Sequence, residues 1–287
     1  MSPIKQLIPF IKLVFRGLGQ VMLQNNAVSG GLFLLAVWVS MPWQALAMLL
    51  GALLGSLQAK FCDYDQCAYQ QGVFGFNGAL VALGASFFYP DAMWVIWPAV
   101  IGFVFLATVI MAQCIKRQYS GLTSPFVVAS WILLLSLAHF GIQPVSGVAN
   151  IGWDWALPSV LQGTLQAFSQ VFFQCNNLAG VLIILGLAIN QFKATIITVL
   201  VAAAIALVMP LFGLSEPAMA GLLGFNAVLC SLVFANRKTL WPLLGAVLIS
   251  LCFMLVALSL GITALTAPFV LATWLVLSVE KWRIYKL

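Results

Sequence analysis

Two clusters of uncharged polar residues interrupt an otherwise apolar chain: Gln20, Gln24, Asn25 and Asn26, and later Gln170, Gln174, Asn176 and Asn177. Side-chain amides offer N–H donors and oxygen acceptors but no titratable group. The chemistry open to them is therefore hydrogen bonding to a solute, not proton transfer or nucleophilic attack. If each cluster closes a half-helix, the last carbonyls lack intrahelical partners, and at membrane depth such backbone must line a cavity. Half-helices entering from opposite faces would then aim these carbonyls and the Gln20 and Gln170 oxygens along a path. That column suits N–H or O–H donors carrying no full charge.

A ring of oxygens also holds dehydrated cations, but cation paths usually add carboxylates. Asp63 and Asp65 fall in an inner loop, Asp91, Asp154 and Glu216 in outer ones, and Glu280 at the inner rim. None reaches predicted membrane depth, so neither a proton relay nor a sodium site is expected.

Composition supports a membrane setting. Of 287 residues, 63% are hydrophobic and 6% charged, against about 25% charged in a soluble domain. Mean hydropathy is +1.11. Runs such as Gly30–Val39, Trp43–Leu57 and Leu240–Leu260 hold almost no ionisable side chains, and several approach the ~20 residues that cross a bilayer. The net charge of +6 does not point to nucleic acid, because the basic residues stand singly or in pairs between apolar runs, as loop anchors do. The basic start, Met1–Gly17, is broken by Pro9 and Lys12 and is not expected to be a cleavable signal.

The chain also repeats itself. Gln20–Asn26 returns as Gln170–Asn177, Gly75-Phe76-Asn77 as Gly224-Phe225-Asn226, and Thr123-Ser124-Pro125-Phe126 as Thr266-Ala267-Pro268-Phe269. The order is kept at offsets of 150, 149 and 143 residues, so only loop lengths differ. The expected organisation is residues 1–145 as a first repeat and 146–287 as a second, together one transmembrane pore domain. In each, a half-helix (Ile4–Leu23, Leu157–Phe173) precedes five spans. The first set is Ala27–Ser40, Pro42–Lys60, Gln71–Phe88, Ala92–Cys114 and Ser124–Phe140. The second is Leu178–Gln191, Ala194–Phe212, Pro217–Ala235, Leu240–Leu260 and Ala267–Glu280.

Charge placement tests this map. With the N-terminus in the cytoplasm, all 12 basic residues fall inside, from Lys5, Lys12 and Arg16 through Lys60, Lys116–Arg117, Lys193 and Arg237–Lys238 to Lys281, Arg283 and Lys286. Five spans per half is odd, so the second half enters upside down. The fold expected is thus all-α integral membrane: two inverted repeats, each five transmembrane helices plus one re-entrant half-helix. Inverted repeats place a substrate path at their interface. Both termini are cytoplasmic, and the loop Gly141–Ala156 lies outside.

The remaining candidates carry two readings each. Phe76 and Phe225, beside glycines, either pack helices or line the path. Thr123 and Thr266, two residues before a proline, either cap a helix or offer a hydroxyl to the path. His139, the one histidine, reads as an interfacial or packing residue. Cys62 and Cys67 share a loop, but without CxxC spacing the inert reading is favoured. With no HExxH and no nucleophile–base set, an enzyme is not expected, nor a metal or cofactor.

At this point the residues resemble the urea transporter family along nearly the whole chain. The resemblance rests on Gly19-Gln20-Val21 and Gln170-Val171, the paired asparagines, Gly75-Phe76-Asn77 through Leu80-Val81, and Gly224-Phe225-Asn226. It also rests on the two Thr-x-Pro-Phe segments and Leu271-Ala272-Thr273-Trp274. It implies a homotrimer in the inner (cytoplasmic) membrane, one pore per protomer, and passive, channel-like flow of urea. The selectivity filter would be apolar slots flanked by oxygen ladders. Carried over by position, Gln20 and Gln170 supply ladder oxygens, Thr123 and Thr266 line the middle, and Leu80 and Leu229 wall it. A phenylalanine is expected three residues after each ladder glutamine; Phe173 fits, whereas the first copy has Leu23. Cys175-Asn176-Asn177 stands where many relatives have Cys-Asp-Asn. The alternatives are a channel for a short amide, ammonia or water, and an ion-coupled small-solute transporter.

Overall fold

The computed structural model describes residues 3–145 and 156–284, and the backbone alone at residues 3–7, 283 and 284. The expected boundary at 145/146, most of the loop Gly141–Ala156, Asp154 and Lys286 lie outside the described residues. Those described are helical, without strands. The chain divides into two compact units, residues 1–152 and 153–287.

In the first unit, α1 (Pro3–Gln20) is followed by α2 (Ala27–Ser40), α3 (Pro42–Phe61), the short α4 (Gln66–Gln70), α5 (Phe76–Phe88), α6 (Met93–Lys116) and α7 (Ser124–His139). In the second, α8 (Ser159–Ser169) ends in a 3-10 turn, Gln170–Phe172, and α9 (Asn177–Val208) ends in another, Met209–Phe212. Then come α10 (Ser215–Met219), α11 (Phe225–Phe234), α12 (Trp241–Ser259) and α13 (Ala267–Ile284).

Local chemistry explains the boundaries. Asn26 caps α2, accepting from the Val28 and Ser29 amides, and Asn176 caps α9, accepting from the Ala179 amide. Asp65 caps α4, accepting from the Ala68 amide at 2.8 Å. Met41 (φ −147°) breaks the chain before Pro42, which has no N–H to carry a helix onward.

Gln191 holds the equivalent position and is likewise non-helical (φ −140°, ψ 63°), yet α9 runs through it. Two helical segments therefore meet at this kink, at the boundary expected between the spans Leu178–Gln191 and Ala194–Phe212.

The spans expected over Gln71–Phe88 and Pro217–Ala235 need correction. Gln71–Phe88 opens on a turn that follows the short α4 and becomes helical only at α5, and Pro217–Ala235 runs from the end of α10 through a turn into α11. Gly72 (φ 75°) and Gly221 (φ 74°) make the turns, using a conformation that favours glycine. A Cβ at Gly72 would lie 2.5 Å from the Gly17 nitrogen, and one at Gly221 2.5 Å from that of Ala167. Each turn therefore rests on the backbone of its unit's first helix. At about 1.5 Å per residue, α5 and α11 fall well short of the ~30 Å hydrocarbon core.

Both short helices lie at the centre of their units. Every residue from Phe76 to Ser86 is buried, as is every residue from Phe225 to Leu232. In the first unit α5 packs against α1, α3, α6 and α7; in the second α11 packs against α8, α9, α12 and α13.

Among the described residues, four helical stretches are long and apolar enough to cross a bilayer: Pro42–Phe61, Met93–Lys116, Asn177–Phe212 and Trp241–Ser259. Their outer faces are apolar too. Trp94, Val95, Phe105 and Val109 are exposed on α6, and Leu244, Leu248 and Val256 on α12. Exposed apolar surface on this scale suits lipid rather than water. The chain is a multi-pass membrane protein.

Within each unit the charges gather at helix ends. Arg237, before α12, pairs with Glu280, late in α13, at 3.3 Å, so this antiparallel hairpin brings both to one end. In the first unit Lys60 lies 5.8 Å from the Phe10 ring centre, and Arg16 Nη1 donates to the Gln70 carbonyl at 3.0 Å. His139 is exposed at the end of α7, edge-on to Phe140. Cys62 and Cys67 are exposed free thiols.

Candidate functional site

Each unit builds the same assembly from three helix ends. The first is the close of α1 or α8. Leu23 adopts a left-handed conformation (φ 59°); its amide donates to the Gln20 carbonyl and that of Gln24 to Gly19, both at 3.0 Å. In the second unit Phe173 takes φ 57°, donating to Gln170 at 3.0 Å while Gln174 donates to Ser169 at 3.1 Å. The buried Gln24 amide folds back onto the Met22 carbonyl at 2.8 Å, and Gln174 onto Phe172 at 2.6 Å.

This corrects the expectation of unsatisfied carbonyls. Those of Leu18, Gly19, Gln20 and Met22 all accept hydrogen bonds, because the left-handed turn closes the helix on itself as a C-terminal cap does. Gln20 Nε2 is engaged by the Gln71 carbonyl at 3.0 Å, and Gln170 Nε2 by Cys175 Sγ at 2.8 Å. With the donor end of each amide held, Oε1 is its acceptor end.

The second and third parts are the starts of α5 and α7, or of α11 and α13, and an asparagine joins them. Asn77 Nδ2 donates to the Leu122 carbonyl at 3.4 Å, and its Oδ1 accepts from the Phe126 amide at 3.1 Å. Asn226 repeats both contacts with Leu265 and Phe269, at 3.4 and 3.1 Å. Leu122 and Leu265 are left-handed as well, at φ 48° and 50°. Thr123 and Thr266 thus sit beside a clamped turn. Phe76 and Leu80, one helical turn apart, flank Asn77 on α5; Phe225 and Leu229 flank Asn226 on α11.

The five first-copy residues singled out in the sequence (Gln20, Leu23, Phe76, Leu80, Thr123) all belong to the first unit's assembly, and Gln170, Phe173, Phe225, Leu229 and Thr266 to the second's. Exposure grades through each set. Gln20, Leu23, Gln170 and Phe173 are half-buried, whereas Thr123 and Thr266 are 3% and 4% exposed and Leu80 and Leu229 are 1%. Thr123 stands at the N-cap of α7 without a capping side-chain bond, so capping does not account for its hydroxyl.

Sequence reading missed Asn77 and Asn226 as the clamps. Their recurrence inside Gly-Phe-Asn was the available signal. It also missed a buried network of the second unit, in which Gln166 Nε2 donates to Asn177 Oδ1 at 3.0 Å and Ser169 Oγ to Gln166 Oε1 at 3.1 Å. Among the described residues no group of three or more His, Cys, Asp or Glu is placed to hold a metal.

Fold and helix ends together define an all-helical, multi-pass membrane protein whose two units repeat the same uncharged polar contacts at their helix ends. A family model of the urea transporters matches residues 11–281. The chain belongs to the urea transporter family, a family of transporters rather than enzymes. Among characterised relatives, it is similar to urea transporter 1 of Ovis aries, at 25% identity over 98% of this chain and 80% of that protein. The Capra hircus protein of the same name matches to the same extent. Urea transporter 1 of Rattus norvegicus is 25% identical over 59% of this chain and 48% of its own length.

Proposed function

We propose that this chain is a passive, channel-like path for urea across the cytoplasmic membrane. The observation that carries the reading is the recurrence, in a urea transporter family member, of one assembly with half-buried amides at its rim and a buried leucine–threonine centre. Urea is planar, neutral and rich in N–H donors. Amide and hydroxyl oxygens replace its water while flat apolar walls cover its faces. Sites worth about 1 kcal/mol each compensate dehydration without trapping the solute. An ion would lose far more hydration with no carboxylate to offset the loss.

In this proposal Gln20 and Gln170 are ladder residues and Thr123 and Thr266 central oxygens. Phe76, Leu80, Leu23, Phe173, Phe225 and Leu229 form the apolar walls. Residues 1–145 and 146–287 act as inverted repeats of one pore domain, as the odd span count read from the sequence requires. Each has five spans and a re-entrant half-helix, and the termini are cytoplasmic. The protomer assembles as a trimer with one pore each.

Leu23 favours a second reading, a related neutral solute. Where its counterpart is the flat ring of Phe173, an aliphatic wall admits a bulkier outline such as a short amide.

Stopped-flow light scattering on proteoliposomes tests the proposal with urea, acetamide, ammonia and water, with and without an ion gradient. Fast urea entry independent of the gradient is expected. Passage of acetamide but not urea would replace the solute, and flux that requires a proton or sodium gradient would overturn the passive mechanism.

A further inference from the structure

A cavity of about 600 Å³ opens in the first unit, lined by Ile8, Pro9, Phe10, Lys12, Leu13, Arg16, Lys60, Tyr69 and Gln70. Its chemistry is divided. Lys12, Arg16 and Lys60 bring three cations, Tyr69 brings a hydroxyl, and the rest of the wall is largely apolar. No carboxylate is among the lining residues. The nearby acids are engaged elsewhere: Asp63 accepts from Gln66 at 3.0 Å and Asp65 caps α4. Three like charges facing one space, with no acid to neutralise them, call for an anion.

Topology alone does not explain this convergence. Loop anchors need only lie beyond a span's end; they need not share a cavity. Burial also pushes the Tyr69 phenol up, keeping it a neutral donor.

We propose that this cavity holds the phosphate of an acidic phospholipid, with Lys12, Lys60 and Arg16 around the headgroup and its acyl chains along α1. The commitment to lipid rests on the rim. Ile8 and Ile11 on α1 and Phe61 at the end of α3 stand exposed beside the cations. This pairing of apolar surface with fixed positive charge matches an amphiphile, and basic pockets at a helical membrane boundary take anionic headgroups. A free phosphate would use the cations but leave the apolar rim unmatched.

The test uses the full chain, purified in detergent, with native mass spectrometry of lipid retained from equal amounts of phosphatidylglycerol and phosphatidylcholine of the same acyl length. The readout is independent of urea flux, so failure of the transport proposal leaves it intact. The wild type is expected to retain phosphatidylglycerol preferentially. The Lys12→Gln/Lys60→Gln variant is expected to lose about tenfold or more of that preference, while Lys116→Gln/Arg117→Gln, which removes the same charge elsewhere, keeps it. The single variants Lys12→Gln and Lys60→Gln serve if the double variant fails to fold, each expected to show a smaller loss.

Arg16 stays intact because it also holds Gln70. Equal retention of both lipids by the wild type, or equal loss in both double variants, would overturn the site. Inorganic phosphate that binds the wild type and displaces the lipid, with the same dependence on Lys12 and Lys60, would overturn the lipid assignment in favour of a free anion.

Discussion

Leu23 and Phe173, equivalent residues of the two units, hold the same left-handed backbone, at φ 59° and 57°. Each follows a glutamine whose carbonyl accepts its amide at 3.0 Å. The backbone is thus indifferent to which side chain it carries, and any difference between the two copies lies in shape. Left-handed φ is uncommon for large side chains, so its recurrence at two bulky residues marks a conformation imposed by the helix ending.

From this follows an exchange experiment. Leu23→Phe is expected to fold as well as the wild type, since Phe173 already occupies the equivalent conformation. It restores a flat wall and is expected to raise the ratio of urea to acetamide flux, whereas Phe173→Leu lowers it. Solute competition in proteoliposomes reads the ratio. An unchanged ratio in both variants would remove these residues from the solute's path.

The amide oxygens give a second expectation. Gln20→Ala and Gln170→Ala each delete one acceptor, and a single hydrogen bond of about 1 kcal/mol corresponds to about fivefold in rate. Urea flux is expected to fall by that order with the thermal midpoint little changed. In the first variant the Gln71 carbonyl loses a donor, but its surroundings are exposed and water takes its place. Full flux in both variants would sink the ladder assignment.

Thr266→Val keeps volume and removes a hydroxyl. Thr266 is 4% exposed, and its backbone carbonyl, which accepts from Val270 at 3.1 Å, is untouched by the change. Urea flux is expected to drop about fivefold with the helix start preserved. Equal rates for the two proteins, with a lowered thermal midpoint in the variant, would assign the hydroxyl to the fold instead.

Much of this architecture was legible in the sequence. The duplication showed in three motifs, and the helix ends follow it closely. The left-handed or positive-φ positions pair as Leu23 with Phe173, Asp63 with Gly213, Gly72 with Gly221, Gln118 with Gly261 and Leu122 with Leu265. What escaped was backbone detail that side-chain pattern does not encode. The segment Gln71–Phe88 is mostly apolar and reads as one span, and the contact of Gly72 with Arg16 and Gly17 explains why the helix restarts after the turn.

The kink within α9 was legible, because Gln191 and Lys193 are polar breaks between two apolar runs and the backbone leaves helical geometry at Gln191. The clamps formed by Asn77 and Asn226 span 49 and 43 residues, and no local pattern announces a partner that distant.

The pH response has a definite sign. Glutamine, threonine, leucine and phenylalanine do not titrate, so urea flux is expected to stay level from about pH 6 to pH 8, where only histidine among unperturbed side chains changes charge. Before and within α4, burial pushes the phenols of Tyr64 and Tyr69 up, so both remain neutral throughout that window. Stopped-flow rates across the range check this, and a steep change near neutrality would require a titrating gate that the assembly does not contain.

The asparagine clamps separate stability from transport. Asn226 is 1% exposed, accepts from the Phe269 amide and donates to the Leu265 carbonyl. Asn226→Ala strands a buried N–H and a buried carbonyl at the start of α13, where no lipid can satisfy them. A cost of about 1–3 kcal/mol per unsatisfied group is expected, seen as a lower thermal midpoint in detergent. Asn226→Asp retains the acceptor but loses the donor and introduces a charge at depth, so it is expected to be no milder than alanine. Thr266→Val, one residue away from the clamped turn, should lower flux and leave the midpoint alone. If Asn226→Ala melts with the wild type, the clamp does not hold Thr266 in place, and the role of this turn in ordering the centre falls with it.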